Sequence, residues 1–129
     1  MRGNRYLLDS NFLIDFMNGV DFATRYFKTI VGEKRYISVV TKIELLSFTE
    51  HSSEKERDVR QFLERFHIVP LREPVEELTV ALRRATRRKL PDAIIAASAV
   101  HIDATLVTSD KQLAKPSFPG LRVVNPMIC

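Results

Sequence analysis

Cysteine is nearly absent from this 129-residue chain, which carries only Cys129. That excludes an internal disulfide framework and any cysteine-based zinc site, and it fits a soluble protein of a reducing, cytoplasmic compartment. Histidine is scarce as well. His51 reads as solvated, His67 and His101 as ends of elements, and the three are too scattered to form a zinc set. Only 4 Gly and 6 Pro are present, which excludes collagen-like and low-complexity chains. Long hydrophobic runs are missing too. The longest mostly apolar stretch, Ala93 to Val100, contains Ser98 and falls short of the ~18 residues a membrane helix needs. The apolar run behind Arg2 and Arg5 breaks at Asp9, so no signal peptide is expected. Nowhere does the chain contain G-x-S-x-G, G-x-x-x-x-G-K-[ST] or G-x-G-x-x-G, which leaves nucleophile-elbow hydrolases, P-loop NTPases and Rossmann enzymes unsupported. Neither charge sign dominates: 20 Lys plus Arg against 16 Asp plus Glu give +4, a mild excess that nucleic-acid binders share with many other domains.

What is present is a 45% apolar chain of one-domain length, residues 1–129, with strands and helices alternating. Tyr6-Leu7-Leu8 reads as a buried strand handing over at Asp9-Ser10-Asn11 to a helix with Phe12, Leu13, Ile14, Phe16 and Met17. Those apolar residues spread over about 200° of a helical wheel, wider than the stripe of about 100° that packing on a sheet requires. Part of that surface therefore faces another chain, or the helix is buried on two sides. A second helix opens at Asp21 and closes at Gly32, with Phe22, Tyr26 and Phe27 on its apolar face. Tyr36–Val40 reads as a strand, and a helix starts at Thr41 and runs to about Thr49. Ser53 and Glu56 form a capping-box pattern before a helix with Val59, Phe62, Leu63 and Phe66. Ile68-Val69 is a short strand. Pro74 begins a helix extending to Lys89, Pro91 begins a nearly all-apolar one, and Thr105–Thr108 and Arg122–Val124 complete the strands. Unbroken apolar strands alternating with helices predict an α/β fold: a parallel sheet of about five strands with helices on both faces.

Ligands of open parallel sheets sit beyond the carboxyl ends of the strands. Asp9 follows the first strand, Glu44 lies one helical turn after the second, Asp92 opens the helix leading to the fourth, and Asp110 follows the fourth. Each has a structural explanation. Asp9 suits a turn, Thr41 and Glu44 fit the S/T-x-x-E capping box, Asp92 suits a helix start, and Asp110 suits a cap on Lys111-Gln112-Leu113. Those explanations do not account for all four converging on one edge. Several carboxylates without histidine or cysteine suit a hard cation such as Mg²⁺ or Mn²⁺, which takes oxygen ligands, activates water and neutralises charge on a phosphoryl group.

Four segments carry a family resemblance. Leu7-Leu8-Asp9-Ser10-Asn11-Phe12-Leu13-Ile14-Asp15 resembles the opening motif of PIN domains, specifically of VapC-like toxins of toxin–antitoxin pairs. Ile37-Ser38-Val39-Val40-Thr41-Lys42-Ile43-Glu44-Leu45 resembles their second motif. Leu90-Pro91-Asp92-Ala93-Ile94-Ile95-Ala96-Ala97-Ser98-Ala99 and Ala104-Thr105-Leu106-Val107-Thr108-Ser109-Asp110 resemble the third and fourth, with the 18-residue step from Asp92 to Asp110 matching the family. The resemblance covers essentially the whole chain. It implies a PIN-like three-layer fold and a metal-dependent endoribonuclease with Asp9, Glu44, Asp92 and Asp110 as its acidic residues. On that basis Asp9, Asp92 and Asp110 are metal ligands to Mg²⁺ (or Mn²⁺), Ser10, Asn11 and Thr108 are supporting residues, and Asp15 is structural. It also implies an RNA substrate, a cognate antitoxin and a homodimer. A phospho-receiver of similar topology does not fit, because its strand-end acids and lysine are distributed differently. A catalytically silent PIN-like module binding RNA or protein, with the acids as caps, remains the alternative.

Arg83-Arg84-Ala85-Thr86-Arg87-Arg88-Lys89 holds five positive residues in seven and no acid. On one continuous helix, Arg83, Arg84, Arg87 and Arg88 share a face and lead directly to Asp92. That face is either solvated or holds RNA phosphates beside the metal.

Overall fold

The computed structural model describes residues 4–49, 52–114 and 117–128; His51 and Cys129 fall outside the described residues. The elements run β1 (Arg5–Leu8), α1 (Ser10–Met17), α2 (Asp21–Thr29), β2 (Lys34–Ser38), α3 (Val39–Ser47), α4 (Ser53–Leu63), β3 (His67–Val69), α5 (Glu73–Ala85), α6 (Leu90–His101), β4 (Thr105–Val107), α7 (Lys111–Ala114) and β5 (Arg122–Val124). A 3₁₀ turn follows at Pro126–Ile128. The strands form one five-stranded sheet in the order β3-β2-β1-β4-β5, every neighbouring pair parallel. This is the α/β fold expected, with β1 at its centre. Among the described residues, no helix is long and apolar enough to cross a membrane.

Strand alternation divides the core into two halves. Leu7 and Leu106 point to a cluster formed with α5 and α6, including Val75, Leu82 and Ile95. Their neighbours Leu8 and Val107 point to the opposite cluster with Phe12, Leu13, Phe27 and Leu45. Helices thus cover both faces of the sheet. All carboxyl ends of its strands lie along one edge, as parallel pairing dictates.

Several boundaries depart from the sequence reading. The second strand ends at Ser38, and α3 begins at Val39 rather than at Thr41. The Ser38 side chain accepts from the Val40 N–H at 3.0 Å and is the N-cap, so this capping bond outweighs the strand preference of Val39-Val40. Similarly, Ser52 rather than Ser53 caps α4, accepting from Lys55 N, and Glu56 instead pairs with Arg60. The α2 helix ends at Thr29 with Ile30 as C-cap, and Gly32 does not adopt the left-handed conformation. That role belongs to Gly19 (φ 74°), where Gly19 N–H reaches Phe16 O and Val20 N–H reaches Asp15 O, a Schellman closure of α1. The fifth helix stops at Ala85, four residues before Lys89. Thr86 turns extended (φ −132°, ψ 166°), and its hydroxyl donates to Leu82 O at 2.6 Å. Lys89 is extended as well (φ −64°, ψ 156°) and is the N-cap of α6, so the chain is broken from Thr86 to Lys89.

The broad apolar face of α1 is covered within the chain. The Phe16 ring stacks on Phe27 at 4.2 Å between centroids and on Phe62 of α4 at 5.7 Å. Phe62 and Phe66 meet edge to face, and the Arg35 guanidinium lies over Phe27 and Phe66. Burial on two sides accounts for much of that apolar spread; Ile14 and Phe16 are half-buried and Met17, at 39% exposure, is open. Phe27→Ala should therefore cost about 3–5 kcal/mol, as expected for an aromatic side chain removed from a packed core. Urea denaturation checks this. Full stability with loss of an oligomer would mark the face as an interface instead.

Candidate active site at the carboxyl edge of the sheet

Each site residue is delivered by the end of a strand or the start of a helix. Asp9 continues β1 by one backbone bond, its N–H donating to Val107 O at 3.1 Å, and then caps α1. One carboxylate oxygen, Oδ1, accepts from Phe12 N at 2.8 Å, and the other, Oδ2, accepts from the Thr108 hydroxyl. Asp9 is only 2% exposed. Burial pushes its pKa up to about 6; the Thr108 and Phe12 hydrogen bonds hold it down in part, while repulsion from Asp110 and Asp92 adds to the rise.

Thr108, fully buried at the end of β4, links two of the acids. Its hydroxyl donates to Asp9 and accepts from Asp110 N at 3.0 Å. The Asp110 carboxylate accepts from Gln112 N at 2.9 Å, so the expected cap on α7 exists. Asp92 lies in the first turn of α6. Its pKa is raised by burial first, then by Asp110 and Glu44, with Lys89 and Arg88 opposing. Glu44 lies on α3, where the Ser10 hydroxyl donates to its Oε1 at 2.5 Å and pairs with the Thr41 hydroxyl at 3.2 Å. The capping-box explanation of Glu44 is overturned, because Thr41 is buried inside α3 and Ser38 is the cap.

The structure thus places Asp9 and Asp110 within electrostatic reach of each other, and Asp92 within reach of Asp9, Asp110 and Glu44, with Ser10 bonded to Glu44 and Thr108 to Asp9. Asn11 is exposed on the first turn of α1. The basic residues do not share a helix face. Arg83 and Arg84 are exposed on the last turn of α5, and Arg87 is exposed in the link to α6. Arg88 is 6% exposed, which contradicts its expected place on an RNA-facing surface. Sequence reading also missed Thr41. Its place three residues before Glu44 was the signal, but it marks a partner of Ser10 rather than a helix start.

Among the described residues, no three His, Cys, Asp or Glu side chains stand in a ready-made metal-binding arrangement. The chemistry of the donor set nonetheless fits a hard divalent cation. It offers oxygen atoms only, and repulsion from neighbouring carboxylates adds to the rise in pKa of Asp9 and Asp92, a repulsion that a shared cation would relieve.

The raised Asp9 pKa sets a direction for stability. With the folded value above the unfolded one, the charged group costs stability at neutral pH, on the order of 3 kcal/mol, and the cost fades as pH falls through about 6. In the absence of divalent metal, the parent should gain stability relative to Asp9→Asn between about pH 7.5 and pH 4. Urea titrations at several pH values check this; parallel profiles for the two proteins would contradict it.

Comparison with known proteins adds to this geometry. The PIN domain family model matches residues 6–119. A toxin–antitoxin complex from Klebsiella pneumoniae contains a chain 31% identical, with a TM-score of 0.83, covering 94% of this chain and 97% of that one. VapBC2 from Rickettsia felis, bound to a promoter DNA fragment, matches at 24% identity and TM-score 0.79, covering 94% and 98%. FitAcB from Neisseria gonorrhoeae matches at 22% and 0.79, covering 96% and 99%. The last two show likeness of fold alone. A comparison with curated proteins finds no match. From the family match and the shared fold, the chain belongs to the PIN domain family.

Proposed function

We propose that this chain is a metal-dependent endoribonuclease and the toxin of a toxin–antitoxin pair. PIN domains are in general nucleases. The observation that carries the reading is the repulsive coupling of Asp9, Asp92, Asp110 and Glu44 at the carboxyl edge of a parallel sheet. As a mere cap, Asp9 is a poor choice: Asn caps a helix as well without the cost of a buried charge. The resemblance of the fold to a chain in a toxin–antitoxin complex supports an antitoxin as partner. A homodimer is part of the same reading.

Asp9, Asp92 and Asp110 would hold Mg²⁺ or Mn²⁺, whose chemistry here is to lower the pKa of water and neutralise charge developing on phosphorus. Asp9 is pre-set for that role, since Phe12 N–H and the Thr108 hydroxyl fix both of its oxygens. Glu44 is held through Oε1 by Ser10 and offers its other oxygen to orient the attacking water and accept its proton. Attack in line with the scissile bond joins the water oxygen to phosphorus. The bond from phosphorus to the ribose 3′ oxygen breaks and that oxygen takes up a proton from solvent, giving a 5′-phosphate and a 3′-hydroxyl. Arg83, Arg84 and Arg87, exposed ahead of Asp92, are placed to hold RNA phosphates.

Incubation of structured RNA with purified protein and Mn²⁺, followed by sequencing of the ends, tests the activity. The parent should cleave internally, and Asp9→Asn and Asp92→Asn should each lower the rate by roughly 1,000-fold. Equal cleavage by parent and variants, or none by the parent, would return the chain to a silent binding module. In the same RNA, replacing Arg83, Arg84 and Arg87 with Gln should weaken binding and flatten its salt dependence, by about 0.7 in slope for each phosphate no longer neutralised. An unchanged slope would make those arginines ordinary solvated charges.

A further inference from the structure

Arg88 lies in the link between α5 and α6, buried where an RNA-binding arginine would be exposed. Its guanidinium donates through Nη1 to Thr86 Oγ1 at 3.3 Å and through Nη2 to Leu113 O at 2.9 Å. The Thr86 hydroxyl passes the connection on by donating to Leu82 O, so the guanidinium is tied to the end of α5. Leu113 belongs to α7, the short helix whose start is Asp110. Asp92 follows Arg88 on the first turn of α6 and is stabilised by its positive charge. One planar fork therefore spans the two segments that deliver Asp92 and Asp110. Lysine cannot reproduce that reach, having a single donor centre.

We propose that Arg88 is a positioning residue that clasps the α5–α6 link to α7 and so sets the placement of Asp92 relative to Asp110. The inference rests on the metal-dependent reading of the four acids, but the clasp itself can be read separately. Burying a guanidinium is costly unless its donors are well placed, and Nη1 and Nη2 here meet oxygens on a buried threonine and at a fixed point of the backbone. The role also runs against simple electrostatics. A positive charge beside a cation site repels the cation, so removing it should tighten metal binding if charge were all that mattered.

The test compares the full chain with Arg88→Lys, Arg88→Met and Thr86→Val in two measurements. Amide hydrogen exchange at Ala114, whose N–H bonds to Asp110 O at 3.0 Å, reads the anchoring of α7. Mn²⁺ affinity at pH 7.5, measured by calorimetry without RNA, reads the placement of the acids. Arg88→Lys should accelerate exchange at Ala114 by about tenfold and weaken Mn²⁺ binding by about tenfold, while the far-ultraviolet dichroism stays that of the parent. Arg88→Met should lose Mn²⁺ affinity as well, although it removes a repelling charge. Parent-like values for Arg88→Lys, or tighter Mn²⁺ binding by Arg88→Met, would overturn the proposal. If both Arg88 variants unfold, Thr86→Val decides: faster exchange at Ala114 in a folded protein supports the clasp, and unchanged exchange rejects it. If the parent binds no Mn²⁺, the metal-dependent reading fails, while exchange at Ala114 still decides whether the clasp exists.

Discussion

The buried carboxyl group of Asp9 is the constraint around which the sheet edge is organised. It stands at the end of the central strand, where the chain must turn from β1 into α1, and it is nearly sealed from water. A carboxylate in that place needs donors, and it has them: the Phe12 N–H from the helix it caps and the Thr108 hydroxyl from the neighbouring strand. These bonds only partly offset the cost of burial, and Asp110 and Asp92 add to it. A helix cap returns about 1 kcal/mol, less than the charge costs at neutral pH, so stability alone does not explain an aspartate here. The proposed cation site would explain it, because a bound cation would relieve that cost.

The fold makes this arrangement possible through its strand order. Placing β1 between β2 and β4 puts the turn after β1 next to Thr108 on one side and the start of α3 on the other. Ser10 then reaches Glu44 across the sheet edge, and Thr108 reaches Asp9, so each hydroxyl joins residues far apart in the chain. Packing of α5 and α6 on one face and of the Phe16–Phe27–Phe62 stack on the other supports the edge from both sides. The site is therefore a product of the core: the same alternation that sends Leu7 and Leu8 to opposite faces sets where the next residue, Asp9, emerges.

Much of this was legible in the sequence. The alternating pattern pointed to the parallel α/β sheet that the structure has, and the strand ends singled out the four acids as candidates, because both follow from periodicity and topology. What was not legible depended on competition between local signals. Val39 and Val40 are good strand residues, yet Ser38 as a cap draws them into α3, which moved the helix start and left Thr41 inside it. The basic run read as a continuous helix face. The turn at Thr86 broke that face and sent Arg88 inward, and only tertiary structure could reveal its partners on α7. Likewise, the wide apolar arc of α1 could not distinguish a neighbouring chain from the chain's own α4, since Phe62 lies far along the sequence.

The central claim is that the four acids form one cation-requiring site, and thermal melting with and without Mn²⁺ at pH 7.5 tests it most directly. A ligand that binds only the folded state at 100 times its dissociation constant adds about 2.7 kcal/mol. That should raise the parent's melting temperature by several degrees. Asp92→Asn should melt slightly above the metal-free parent, having shed one repelling charge, and should gain little from Mn²⁺. A parent indifferent to Mn²⁺, together with a destabilised Asp92→Asn, would contradict the account and leave the acids as helix caps.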